Sequence, residues 1–213
     1  MIYFISGLGA DERVFQFLDL AHHEFRHIQW VTTQKGESLT DYAIRLIDQI
    51  DGNQDIILIG VSFGGMIAQE IAKQISCKTV IIISSVKSPE EFDWQLSFVR
   101  KTQLHQFVPA AFLKWSNLLT ADYYFGVSAK QESELLRQIV LDTDTTFMVW
   151  AIDAIMRWEN DDPLLTIHHI HGTQDKIFPR KPIKNAHFIE GGGHFMIVNK
   201  AAEISQLILN IIQ

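Results

Sequence analysis

A single cysteine, Cys77, excludes a disulfide framework within the chain. It falls in the apolar stretch IAKQISCKTV, which marks it as a small buried residue rather than a reactive thiol. No apolar run approaches the roughly 18 residues of a membrane-spanning helix. The amino-terminal MIYFISGLGADERVF has neither a basic leader segment nor a small-residue cleavage site, so a cytoplasmic protein without membrane attachment is expected. Positive charge is in deficit: 18 Lys and Arg face 25 Asp and Glu, a formal net charge of -7. An acidic surface repels phosphate backbones and argues against a nucleic-acid partner. Internal repeats, low-complexity tracts and linkers rich in Pro, Gly or Ser are also missing. The 213 residues therefore read as one domain, or one domain carrying a large insertion.

What is present is a series of short apolar runs rich in Ile, Val and Phe, at residues 2–6, 27–31, 56–60, 79–84, 166–171 and 186–190. They show little polar alternation, as expected of strands buried on both faces of a parallel sheet. Helical patterns at 38–50, 63–75 and 201–212 separate several of them, the first opening with Ser38 as an N-cap. Strands alternating with helices predict an α/β fold: an open, mostly parallel sheet of about six strands with helices on both faces. Ligands of such sheets bind at the carboxyl ends of the strands.

The alternation fails between residues 87 and 158, where several helical stretches occur without a good strand. Residues 1–86 and 159–213 are assigned to the α/β core, and 87–158 to a helical cap or lid. This third of the chain holds twelve of the 23 aromatic residues. One reading makes them a small helical core. The other, based on an insertion that follows a strand carboxyl end, has some of them lining an apolar substrate pocket, with Trp94, Phe98, Trp115 and Tyr123 as candidates.

Gly60-Val61-Ser62-Phe63-Gly64 fits G-x-S-x-G, and it stands where that pattern has mechanical meaning, after an apolar strand and at the start of a helix. A turn this tight brings the residues two before and two after the serine together, so Gly60 and Gly64 relieve a collision of side chains. The strained serine is held out at the sheet edge, at a helix N-terminus that favours negative charge. A serine hydroxyl needs a base to accept its proton, and the base needs a carboxylate to orient it. HGTQDKIFP places Asp175 in the loop after the fifth run, and EGGGHFMIV places His194 in a glycine-rich loop after the sixth. The order Ser62, Asp175, His194 is the one this architecture uses.

With SGLGAD after the first strand, GVSFGG at the bend, HGTQD at the acid and GGGHF at the histidine, the sequence resembles the α/β-hydrolase superfamily, in its serine-nucleophile, small esterase-like branch. The resemblance covers nearly the whole chain. It implies an oxyanion hole built from the backbone N–H groups of Phe63 and Leu8. It also implies Glu90, Glu91 and Asp93 as reserve acids, because some members carry the acid after the preceding strand. Two departures stand out. Ser6-Gly7 replaces the common His-Gly before the oxyanion residue. The usual leading antiparallel strand pair is missing, which leaves the strand near 27–31 at an unprotected sheet edge and raises edge-to-edge dimerisation.

The resulting expectation is a serine hydrolase cleaving a small, partly apolar carboxylic ester or related acyl compound, without metal or organic cofactor, as a monomer or homodimer. A serine at the bend sets aside the dehalogenase and epoxide-hydrolase branches, which the resemblance would give an aspartate. A cofactor-free lyase or perhydrolase on the same scaffold is the enzymatic alternative. A ligand-binding protein that kept the fold is the non-enzymatic one. His168, His169 and His171 lie close together in sequence, but strand alternation separates His168 from the other two and no ligand set is complete. SGLGAD lacks the lysine and the glycine spacing of a phosphate-binding loop.

Overall fold

The structure is a computed structural model that describes residues 1–20, 23–161 and 166–213, with the backbone alone at 111, 113, 114 and 117. Its centre is a sheet of six strands, all parallel, in the order β2-β1-β3-β4-β5-β6. These are β1 (Ile2–Ile5), β2 (Phe25–His27), β3 (Ile57–Val61), β4 (Thr79–Ile83), β5 (Ile167–Gly172) and β6 (His187–Ile189). Each was anticipated to within a residue or two except β2. That strand ends at His27, whereas the apolar pattern predicts residues 27–31. The reason is a side chain: the Tyr42 hydroxyl accepts from the Val31 N–H and donates to the Val31 carbonyl, both at 2.9 Å. The chain beyond Ile28 thus bonds to a helix side chain instead of to β1. As expected, β2 is an edge strand.

Alternation along the buried strands sends neighbouring residues to opposite faces. Ile2 and Phe4 of β1, Ile57 and Ile59 of β3, and Ile81 and Ile83 of β4 share one core with Val14, Phe15, α5 (Lys130–Asp142), α7 (Met196–Asn199) and α8 (Ala201–Ile212). Tyr3, Ile5, Leu58, Val80 and Ile82 share the other with α1 (Leu39–Leu46), α2 (Phe63–Ala72) and α6 (Thr145–Arg157). Both faces are covered, which explains why the strands lack polar alternation. Full burial of each aliphatic side chain contributes about 1.5–3 kcal/mol. α1 begins where Ser38 predicts, its hydroxyl accepting from the Asp41 N–H at 3.1 Å. Cys77 is half-buried rather than enclosed, and burial pushes its thiol up to about 11.

Between β4 and β5 the described residues form α3 (Trp94–Thr102), α4 (Ala110–Phe125), α5 and α6, with short 3-10 turns and no strand. α5 and α6 enter the two cores, so this segment packs into the sheet layers instead of sitting apart from them. Glu70, buried on α2, joins the pieces. Its carboxylate accepts from Trp158 Nε1 at 2.9 Å, Thr40 Oγ1 at 2.8 Å and Lys73 Nζ at 2.9 Å. No helix among the described residues is long and apolar enough to cross a membrane. Replacing Glu70 with Ala leaves the buried Trp158 N–H without its acceptor. The Glu70→Ala variant should lose about 2–4 kcal/mol in urea denaturation, far beyond the effect of an exposed Glu→Ala change.

Candidate active site

Four loops meet at the carboxyl end of the sheet. The sharpest is the bend between β3 and α2. Ser62 has φ 53° and ψ -120°, a left-handed backbone that costs a non-glycine residue on the order of 1–3 kcal/mol. The bend is held by its backbone: Ser62 N–H donates to Ile83 O at 2.8 Å, and Ser85 Oγ donates to the Ser62 carbonyl at 2.7 Å. Glycine is required around it. A Cβ on Gly60 would overlap the Gly64 carbonyl, and one on Gly64 would overlap the carbonyls of Ile5 and Ser6. The crowding at Gly64 therefore comes from β1, a neighbour the sequence pattern does not reveal. Gly65 is equally constrained, since a Cβ there would lie 2.5 Å from Ser85 Oγ.

The loop after β1 runs beside this bend, with Gly7 so close that a Cβ would stand 3.2 Å from Ser62 Cβ. Ser6 shapes the loop: its hydroxyl donates to Ala10 O at 2.9 Å, and Ala10 N–H donates to Gly7 O at 3.0 Å. Trp30, carried past the end of β2, adds its indole N–H to Ala10 O at 3.3 Å. Among the described residues the N–H groups of Leu8 and Phe63 have no acceptor. Phe63 is the first residue of α2, where a helix leaves its N–H unused.

The loops after β5 and β6 are bonded to each other. Thr173 N–H donates to Ile189 O at 3.0 Å, Gln174 N–H to Gly192 O at 2.8 Å, and Gly191 N–H to Thr173 Oγ1 at 2.9 Å. Gly172 and Gly192 touch, with no room for a Cβ on Gly172. This contact brings Asp175 and His194 together. His194 Nδ1 donates to Asp175 Oδ2 at 2.8 Å, and its Nε2 lies 2.9 Å from the Ser62 hydroxyl oxygen. Asp175 Oδ1 accepts from the N–H groups of Ile177 and Phe178, each at 2.8 Å. Asp175 and His194 are both 4% exposed. The reserve carboxylates are engaged elsewhere. Glu91 accepts from Lys87 N–H at 2.7 Å, Asp93 caps α3 by accepting from Leu96 N–H at 2.9 Å, and Glu90 is held down in pKa first by its bond with Ser88.

The aromatic side chains that meet His194 are Phe125, 5.2 Å between ring centroids, and Phe178, 5.6 Å. Trp94, Phe98, Trp115 and Tyr123, the sequence candidates for the pocket, are instead exposed and line no cavity next to Ser62. Helix geometry is the reason. Leu118, Ala121 and Phe125, spaced by three and four, form the inner face of α4 and pack on the core, which turns Tyr123 outward, while Trp115 lies a turn before the part of α4 that meets the core. Tyr123 there lies under Lys176 Nζ, 3.5 Å from the ring centroid. Trp94 and Phe98 share the outer face of α3. Beside Ser62 and His194 is a cavity of about 30 Å³, bounded by Gly7, Leu8, Phe125 and Phe195. A larger cleft of about 530 Å³ adjoins it across Gly9, Ala10 and Ile139, and is walled by Trp30, Thr143 and Phe147. Of the β5 histidines, His169 and His171 are interior, with their rings 5.1 Å apart on one face, and His168 is half-buried. Burial depresses the pKa of His169 to about 3.

A family model described as alpha/beta hydrolase family matches residues 2–207. The chain belongs to the alpha/beta hydrolase family. Solved alpha/beta structures reproduce its fold at low identity. An enzyme described as a thermophilic esterase from Thermogutta terrifontis superposes with a TM-score of 0.71 at 15% identity, over 99% of this chain and 88% of that one. MenH from S. aureus gives 0.74 at 16% identity, over 99% and 92%. A bromoperoxidase from Bacillus anthracis gives 0.70 at 17% identity, over 99% and 91%. No curated protein matches the chain. In this alpha/beta hydrolase the bend offers a direct test. Gly64→Ala must displace backbone of β1 and should cost about 3 kcal/mol or more. Gly52→Ala, with nothing within 4 Å of the added Cβ, should change stability by less than about 1 kcal/mol in the same urea titration.

Proposed function

We propose that the chain is a serine hydrolase that cleaves a small, partly apolar carboxylic ester or related acyl substrate through an acyl-enzyme. The observation that carries this reading is the unbroken hydrogen-bond chain from Ser62 Oγ through His194 to Asp175. In the proposed reaction Ser62 Oγ attacks the substrate carbonyl carbon while His194 Nε2 takes the hydroxyl proton. Asp175 holds the imidazole tautomer and stabilises the imidazolium. The oxyanion develops towards the N–H groups of Leu8 and Phe63, each contributing on the order of 3 kcal/mol to the transition state. His194 then protonates the departing alcohol. A water activated by His194 attacks the acyl-enzyme and releases the acid and free Ser62. The 30 Å³ cavity admits about two waters and the cleft beyond Ala10 is far larger, so the bulk of the substrate is assigned to that cleft, between Trp30 and Phe147.

A perhydrolase reading shares every step as far as the acyl-enzyme and differs only in the acceptor, hydrogen peroxide in place of water. The likeness to a protein named bromoperoxidase favours keeping it in the test. A panel of p-nitrophenyl esters of increasing acyl length, with and without peroxide, separates the two by the ratio of acid to peracid formed.

A fluorophosphonate probe should label the native protein and leave Ser62→Ala unlabelled; a native protein that resists the probe would rule out the nucleophile. Asp175→Asn keeps the size of the side chain but favours the wrong imidazole tautomer. Its kcat on the best ester should fall on the order of 10⁴-fold, and near-native turnover would return the acid to the carboxylates after β4.

A further inference from the structure

Two buried imidazoles on β5, His169 and His171, stand outside the chain just described. His171, on β5, is 0% exposed. Its Nε2 lies 2.8 Å from the Phe178 carbonyl oxygen and 3.9 Å from Asp175 Oδ2, while its Nδ1 has no partner among the described residues. Burial lowers the pKa of the ring, so it is neutral and carries one proton. A carbonyl only accepts, which puts that proton on Nε2. His171 therefore donates to Phe178 O.

Phe178 is gripped from both ends. Its N–H donates to Asp175 Oδ1, and its carbonyl receives the His171 proton. With the Ile177 N–H, this residue fixes the direction of the carboxylate, and its ring packs on His194 as well as on Phe92, with centroids 6.1 Å apart. An apolar residue would suit the interior of β5 better on stability grounds. The bond to Phe178 O sets His171 apart from His169, whose two ring nitrogens have no partner among the described residues. The ring's neighbours are His169, Phe188, Asp175 and, beyond it, His194. Among the described residues the Phe178 carbonyl receives no hydrogen bond besides the one from His171.

We propose that His171 is a positioning residue: its Nε2–H, held on the Phe178 carbonyl, fixes the loop that aims Asp175 at His194. The inference rests on the hydrolase reading given above. Without the bond the buried carbonyl is unsatisfied, Phe178 turns to find a donor, and the two N–H groups on Asp175 Oδ1 move with it. Displacements of about 1 Å at a catalytic group cost roughly 100-fold in rate.

The test compares two side chains of similar polarity. In His171→Gln the terminal amide nitrogen reaches the position of Nε2; in His171→Asn it stops at that of Nδ1. The Gln variant should keep kcat within about threefold of native, and the Asn and His171→Leu variants should lose roughly 10- to 100-fold in kcat and in fluorophosphonate labelling rate, with KM nearly constant. Equal kcat in the Gln and Asn variants, whether high or low, overturns the proposal. Imidazole nitrogen NMR of the native protein needs no variant. A slowly exchanging His171 Nε2 proton is expected, and a proton on Nδ1 instead would overturn the proposal. If the native protein resists the fluorophosphonate, it is the hydrolase reading that fails. If the native protein labels and the His171 variants match it, only this inference fails.

Discussion

The organisation of the molecule depends on how closely backbone approaches backbone at the end of β3. Ser62 sits at φ 53° because the chain must leave a buried strand and enter α2 without an intervening loop. That geometry persists only where no side chain intrudes, and Gly60, Gly64 and Gly65 clear the space against α2, β1 and Ser85. The two bonds on Ser62, from its own N–H to Ile83 O and from Ser85 Oγ to its carbonyl, fix the bend from the β4 side. The consequence is chemical. A hydroxyl that would otherwise rotate in solvent is aimed at one imidazole nitrogen, at the N-terminus of a helix.

The other half of the site solves a different problem, that of bringing an acid and a histidine from separate loops to one line. Direct bonding between the loops does this. Gly172 and Gly192 allow main-chain contact, Gln174 and Thr173 bond across it, and Phe125 O accepts the Phe195 N–H at 2.9 Å at the end of α4. The last of these ties the helical segment between β4 and β5 to the histidine loop. Gly126 and Gly193 meet at the same place, where a Cβ on Gly193 would lie 2.9 Å from Phe125 O. The helical segment thus helps to form the site even though most of its aromatic side chains face away from it.

These features were unequally legible in the sequence. The strands were readable because burial on both faces leaves an uninterrupted apolar run, and α8 was predicted over its full 201–212 span because its apolar stripe is broad. β2 was misplaced because residues 27–31 are apolar for another reason: Trp30 packs on Phe63 and Phe147 at 5.7 and 5.2 Å, and Tyr42 occupies the backbone of Val31. Composition cannot distinguish a residue that pairs in a sheet from one that packs on its end. His27, at the end of β2, stacks its ring 5.5 Å from Phe4.

Within the site, Ser62, Asp175 and His194 were visible because each stands in a local pattern with a mechanical reason. The groups that hold them were not, since their meaning lies in contacts made across the sheet. Ser85 is an unremarkable residue after β4 until its hydroxyl is seen on the Ser62 carbonyl. His171 looked like part of a histidine cluster until its partner proved to be the backbone of the acid loop. The aromatic candidates failed for the opposite reason. Twelve aromatic residues in one segment imply a pocket only if they face inward, and facing is set by helix phase and by which turn meets the core. On α4 that phase selects Phe125, at the last turn, where the ring borders His194. Identity and spacing along the chain therefore locate the hydrogen-bonded Ser62, His194 and Asp175, and the residues that aim them become identifiable only when the strands are set side by side.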